Sequence, residues 1–190
     1  MAQTAGNRTV TRSGYAMVTY FAAMSVAVAS FIPTPTRFIW NATASAPVGL
    51  YTISPVDRLE VSDLVALQPP EPLTDFMAKR GYVRRGTPLL KHVLALPGQQ
   101  VCRIGRVITV DGIEMGDALE RDRLGRPLLV WRGCRTIAAG ELFLMNAEVR
   151  DSLDSRYFGP LPVSAVIGRA TPLYTDEDGD GRFIWRAPTR

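Results

Sequence analysis

A mostly β domain behind one N-terminal transmembrane helix, with one or two short helices inside the domain, is the fold this 190-residue sequence predicts. Three observations carry the prediction. No residue from Ser13 to Thr36 is charged, and Tyr15 to Ile32 is almost wholly apolar. Beyond Asn41 the pattern becomes short runs rich in branched residues, separated by Gly and Pro. So many short runs argue against βαβ units, which need longer alternating helices.

The first element is the apolar run. About 20 residues at 1.5 Å rise cross a hydrocarbon core of roughly 30 Å, so one membrane span fits. Arg8 and Arg12 precede the run, and Pro33, Pro35 and Arg37 follow it. Basic residues stay on the cytoplasmic side, so the remainder is expected outside. Tyr15, Tyr20 and Trp40 stand where aromatic residues mark membrane interfaces. Ala27-Val28-Ala29 also fits the small-x-small site of a cleavable leader, and a buried core helix is a third reading. The expected division is 1–12 cytoplasmic tail, 13–36 anchor, 37–175 domain and 176–190 an acidic then basic tail.

Within the domain, strands are predicted at Val61–Leu67, Leu89–Leu96, Val101–Ile104, Val107–Val110, Glu141–Met145 and Val163–Ile167. Asp111-Gly112 is a strong two-residue hairpin signal, so a meander fills the middle of the domain. A helix is predicted over Thr74–Gly81, with Thr74 as N-cap and Gly81 as its stop.

Composition narrows the chemistry. The net charge is +4, but the arginines are scattered and no basic stripe is interleaved with aromatics, so no nucleic-acid partner is expected. A basic balance suits a protein lying against an anionic membrane. One histidine, His92, and two cysteines, Cys102 and Cys134, occur without CxxC or HExxH spacing. No metal and no cofactor are expected. The two cysteines could form a disulfide in an oxidising compartment or remain buried free thiols. Asp176 to Gly181 mimics half of a calcium loop, but the twelfth position is Ala187, so it reads as an exposed acidic tail.

Without a histidine near a candidate serine, nucleophilic catalysis needs another base, and lysine is the usual substitute. Only Lys79 and Lys91 occur. Lys79 precedes Arg80 on a solvated helix end, whereas Lys91 lies in the apolar run Pro88 to Gly98. A free lysine, with a pKa of about 10.4, is neutral in less than ~0.1% of molecules at pH 7, so a lysine base requires apolar surroundings. By its residues alone Lys91 reads rather as a strand residue pointing its charge to solvent. The small-residue run Asn41 to Tyr51 leaves Ser45 exposed for attack, although a plain linker would look the same.

Three segments together resemble the type I signal peptidase family, and more closely its conjugative-transfer branch. Ser45-Ala-Pro-Val-Gly-Leu-Tyr51 is similar to the nucleophile motif of that branch, Ala46 standing where general signal peptidases carry Met. Lys91-His-Val-Leu-Ala-Leu-Pro-Gly98 resembles the motif that holds the general base. Asn146 to Pro160 resembles the Ser-x-Asp-Ser-Arg-Tyr-x-Gly block, but begins Asn-Ala-Glu-Val where general enzymes have Gly-Asp-Asn-Arg. Val61 to Leu67 is similar to a family strand, with Ser62 in place of Gly.

The resemblance implies a signal-peptidase-like β domain and a serine endopeptidase with Ser45 as nucleophile and Lys91 as base. It implies Thr43 as an oxyanion donor, Ser152 as the residue orienting the lysine, and Asp154 with Arg156 as a supporting pair. His92, next to the base on a strand, would point to the opposite face. Cys102 and Cys134 flank the hairpin, which suits a periplasmic disulfide. The implied partners are the membrane, a pilin-like precursor as substrate, and other conjugation proteins. A non-enzymatic assembly protein of the transfer apparatus and a general secretory signal peptidase are the rival readings.

Overall fold

The computed structural model describes residues 12–31 and 36–189. The expected cytoplasmic tail with Arg8, and the proline stop at Pro33 and Pro35, lie outside the described residues. The chain divides into two units, residues 1–35 and residues 36–190.

In the first unit, α1 (Arg12–Ser30) is 19 residues long and carries no acidic side chain in its first turn and no basic one in its last. At 1.5 Å per residue it is about 28 Å long, which matches a hydrocarbon core. It is long and apolar enough to cross a membrane.

The second unit is built of two antiparallel sheets. The large sheet contains β1 (Phe38–Asn41), β2 (Val48–Ser54), β3 (Leu64–Leu67), β4 (Leu89–Ala95), β9 (Glu141–Leu144), β10 (Leu161–Pro162), β11 (Val166–Asp176) and β12 (Phe183–Trp185). Its order is β1-β2-β11-β3-β4-β9-β10, with β12 added alongside β11. The smaller sheet orders β5 (Gln100–Ile104), β6 (Val107–Val110), β7 (Ile113–Asp117) and β8 (Gly133–Thr136) as β7-β6-β5-β8. Asp111 and Gly112 both have positive φ, 49° and 83°, as a tight two-residue turn between β6 and β7 requires.

Period-two alternation builds the core. On β9, Leu142 and Leu144 face one cluster with Val65, Leu67, Val93, Leu73 and Met77. Phe143 and Met145 face the other way, onto Val101, Ile108, Val110 and Ile137 of the small-sheet side. One strand therefore serves two cores, and truncating the fully buried Phe143 to Ala would cost about 3–5 kcal/mol. A third cluster joins Ala46, Tyr51, Leu64, Ala66, Leu90 and Ala170.

Several sequence expectations need correction. The helix α2 (Glu71–Lys79) starts three residues before the predicted Thr74, because Pro70 and Pro72 fit a first turn that needs no N–H donors. Thr74 is then inside the helix, its hydroxyl donating to the Pro69 carbonyl at 2.9 Å rather than capping. The strand predicted from Val61 begins at Leu64. Ser62 sits in a turn at φ 77°, and the turn interrupts the alternation.

Val163–Ala165 form a 3-10 turn, and only from Val166 does the chain extend into the 11-residue β11. The small-residue run from Asn41 is not a linker but the end of β1, a tight turn and the start of β2, paired Asn41 to Gly49. Gly49 is required there, since a Cβ would stand 2.3 Å from the Tyr174 carbonyl oxygen of β11.

The stretch from Asp176, expected as a tail, turns back instead and pairs β12 with the end of β11. Phe183 stacks on Tyr174 at 5.1 Å and on Trp40 at 6.1 Å between ring centroids. Aromatic contacts of this kind add about 0.5–1.5 kcal/mol each, which accounts for the order of so short a strand.

Candidate active site

Ser45 lies in the turn between β1 and β2, and Lys91 on β4 directly opposite Val65 of β3. Burial of their neighbours brings them together: Ala46 and Leu90 share one hydrophobic cluster, and Ser45 and Lys91 are the residues adjoining each. Both line one cleft of about 490 Å³, together with Thr43, Ser152, Leu153 and Tyr157. Met77, Leu89 and Leu128 contribute apolar wall, and Tyr82, Asp122 and Arg126 form a hydrogen-bonded rim.

The turn is organised by Asn41, which is 7% exposed at the end of β1. Its Nδ2 donates to the carbonyls of Thr43, Ala46 and Pro47 at 2.8, 2.9 and 3.0 Å. Its Oδ1 accepts from the Thr43 backbone N–H and hydroxyl. Tyr51 adds a bond from its hydroxyl to the Pro47 carbonyl at 2.7 Å, and burial raises its pKa so that it remains a donor. The Thr43 and Ser45 hydroxyls stand 3.1 Å apart. With the Thr43 proton on Asn41, Thr43 accepts from Ser45.

Lys91 is 3% exposed, and its ammonium donates to Ser152 Oγ at 2.7 Å. Burial pushes its pKa down to about 8, Asp154 pulling it back up and Arg156 pushing it further down. The alternation of β4 explains the placement: Lys91 and Val93 share the face toward α2, whereas Leu90 turns to the cluster behind. His92, on the Leu90 side, has its ring Nδ1 3.2 Å from Asn146 Oδ1.

Beneath the lysine, Asp154 and Arg156 form a two-pronged ion pair, Nε to Oδ1 and Nη2 to Oδ2, both 2.8 Å, at no more than 1% exposure. Asp154 also accepts from the Arg156 backbone N–H and so starts the single turn of α3 (Ser155–Phe158). The remaining guanidinium hydrogens go to carbonyls of the loop, including Val149 at 2.7 Å and Ser152 at 3.2 Å. A buried pair so fully bonded holds the loop that presents Ser152 to Lys91.

Cys102 and Cys134 face each other across β5 and β8 and are joined by a disulfide, in the smaller sheet and outside the cleft lining. Among the described residues no cluster of His, Cys, Asp or Glu could hold a metal ion. Two buried asparagines, Asn41 and Asn146, are parts of the site that sequence reasoning did not single out. The available signal was a polar residue at the end of an apolar alternation, at Trp40-Asn41 and again at Met145-Asn146.

Residues 10–175 match the family described as signal peptidase, peptidase S26, and the chain belongs to that family. Among curated relatives it is similar to the conjugal transfer protein TraF of Agrobacterium fabrum, 37% identical over 147 residues, covering 71% of this chain and 81% of that one. It is also similar to a plasmid transfer protein TraF of Escherichia coli, 33% identical over the same shares of the two chains. A signal peptidase I from Enterococcus faecalis, known by its crystal structure, matches 60% of this chain and 97% of its own at 18% identity and a TM-score of 0.38.

Proposed function

We propose that the chain is a membrane-anchored serine endopeptidase in which Ser45 is the nucleophile and Lys91 the general base. The observation that carries this reading is a lysine 3% exposed, lining the same cleft as Ser45, with burial lowering its pKa to about 8. A lysine so placed is neutral often enough at physiological pH to accept a proton.

Neutral Lys91 takes the Ser45 hydroxyl proton as Oγ bonds to the scissile carbonyl carbon. The carbonyl oxygen becomes an oxyanion, received by the Ser45 backbone N–H and by Thr43 Oγ1 once its hydrogen swings from Asn41. The protonated lysine gives its proton to the leaving amine, and the C–N bond breaks to leave an acyl-enzyme. Water, activated by Lys91, then releases the new carboxylate. An amine of the substrate in the place of water would give a cyclic or joined product. Ser152 orients the ammonium throughout, and Asp154 with Arg156 holds Ser152.

The relatives named for conjugal and plasmid transfer favour a transfer-specific substrate, a pilin-like precursor with an apolar segment. It would enter the cleft as an extended strand, with small side chains before the cut. In this reading α1 anchors the enzyme in the inner membrane, N-terminus inside, with the domain in the periplasm. The test is precursor processing in cells carrying Ser45→Ala or Lys91→Ala. Both variants should leave the precursor uncut; normal maturation in either would overturn the proposal.

A further inference from the structure

We propose that Asn146 is a positioning residue whose side-chain amide holds the Ser45 turn in register with the strand that carries Lys91. This rests on the peptidase reading above and adds a residue to it.

Asn146 follows β9 and is 3% exposed. Its Oδ1 accepts from the His92 backbone N–H at 3.1 Å, and its Nδ2 donates to the Leu90 carbonyl at 3.1 Å. These are the residues on either side of Lys91. Met145, one residue earlier, donates its own N–H to the His92 carbonyl at 2.9 Å. The ladder between β4 and β9 is therefore continued for one more step by a side chain in place of backbone, at the position of the lysine. The second Nδ2 hydrogen goes to the carbonyl of Ser45.

One planar amide thus joins three backbone groups, two that bracket the base and one that belongs to the nucleophile. Ser45 comes from a turn at the β1 edge, and three other strands separate β1 from β4 in the sheet. Of the described side chains that bond Ser45, Asn146 is the one that also bonds β4. Its own main chain is fixed in turn, the N–H on Asp154 Oδ2 at 3.2 Å and the carbonyl on Arg156 Nη2 at 3.3 Å. The buried ion pair therefore acts on both partners of the reaction, on Lys91 through Ser152 and on Ser45 through Asn146.

Holding the Ser45 carbonyl fixes the peptide plane that follows the nucleophile and, with the Asn41 bonds to the Thr43 and Ala46 carbonyls, the placement of the turn relative to β4. A misplacement of about 1 Å between reacting groups costs around 100-fold in rate. A general amide such as Gln, longer by one methylene, could not reach all three groups from the same backbone position.

The experiment uses the full-length enzyme in detergent micelles with an internally quenched peptide carrying Ala at the first and third positions before the scissile bond. Rates are taken per folded molecule, counted by circular dichroism. Asn146→Ala is expected to lower kcat by about 10- to 100-fold while KM moves less than about threefold. Its rate should still rise through the same pH as wild type, since Ser152, Asp154 and Arg156 still surround the lysine.

Asn146→Asp keeps the shape but loses both donors, so kcat should fall at least as far. The added carboxylate beside β4 should also move the rise in rate to higher pH. If Asn146→Ala keeps the wild-type kcat per folded molecule and loses only melting temperature, the amide is a structural tie and the proposal falls. Should that variant fail to fold, Asn146→Asp and Asn146→Ser decide by the same kcat criterion. Wild type and Ser45→Ala run beside them keep the two claims apart: cleavage by wild type but not Ser45→Ala sustains the peptidase reading whatever Asn146 does. A wild type that leaves the peptide uncut removes both.

Discussion

Raising the pH from 7 to 9 should increase the single-turnover cleavage rate about tenfold and then level off, because a base with a pKa near 8 goes from about 10% to about 90% neutral over that range. An ordinary lysine, at 10.5, would instead give about 100-fold with no plateau by pH 9. The same shift is a stability statement. Lys91 is 3% exposed, so little solvent screening reduces it. Below pH 8 the lysine is charged in both folded and unfolded chains, and the cost of burying that charge is fully present. As pH rises from 8 to 10.5 the folded chain has already released its proton, and the cost disappears. A displacement of that size is worth about 3 kcal/mol. Lys91→Met, which fills the same space without charge, should therefore be inactive yet more stable by up to ~3 kcal/mol at pH 7, the gain vanishing near pH 10.5. Urea melts of both proteins at the two pH values, with the rate profile of wild type, provide the measurement. A rate still climbing tenfold per pH unit above 9, or a Met variant whose gain over wild type is no larger at pH 7 than at 10.5, would refute the reasoning.

Thr43→Val removes the proposed oxyanion donor but keeps the volume, and should lower kcat by about 10²- to 10³-fold with KM little changed in steady-state assays. Asp154→Ala strands the Arg156 guanidinium at 1% exposure, which should cost about 3–5 kcal/mol in urea melts and release the loop that holds Ser152. Changing Cys102 and Cys134 together to Ser opens a bridge of sequence separation 32 and should cost about 3–4 kcal/mol, read as a lower melting temperature. The kcat per folded molecule should stay as it was, because the bridge lies outside the cleft lining.

The misread elements share a cause. Strands with an uninterrupted apolar pattern, such as β4 and β6, were legible because alternation and the Asp-Gly turn are local signals. β1, β2, β8 and β12 were not, because their short sequences are mixed and contacts that reach far along the chain help hold them. Gly49 pairs with Thr175, and Phe183 finds its stacking partners at Trp40 and Tyr174. The helix starts earlier than Thr74 suggests because Pro70 and Pro72 suit a first turn, which places Thr74 inside the helix.

By itself the sequence determined the chemistry available to this protein. One histidine and two unclustered cysteines leave lysine as the candidate base, a charge-free run supplies a membrane-length helix, and three motifs carry the family likeness. It could not determine whether Lys91 faces solvent or core, since a strand of either orientation has the same composition. The tertiary structure decided that, because α2 packs against one face of the sheet in which β4 lies between β3 and β9, and Lys91 ends up 3% exposed. It also decided what Asn41 and Asn146 do. An amide's role lies in which backbone groups come within about 3 Å of it, and that is a property of packing between segments up to 101 residues apart.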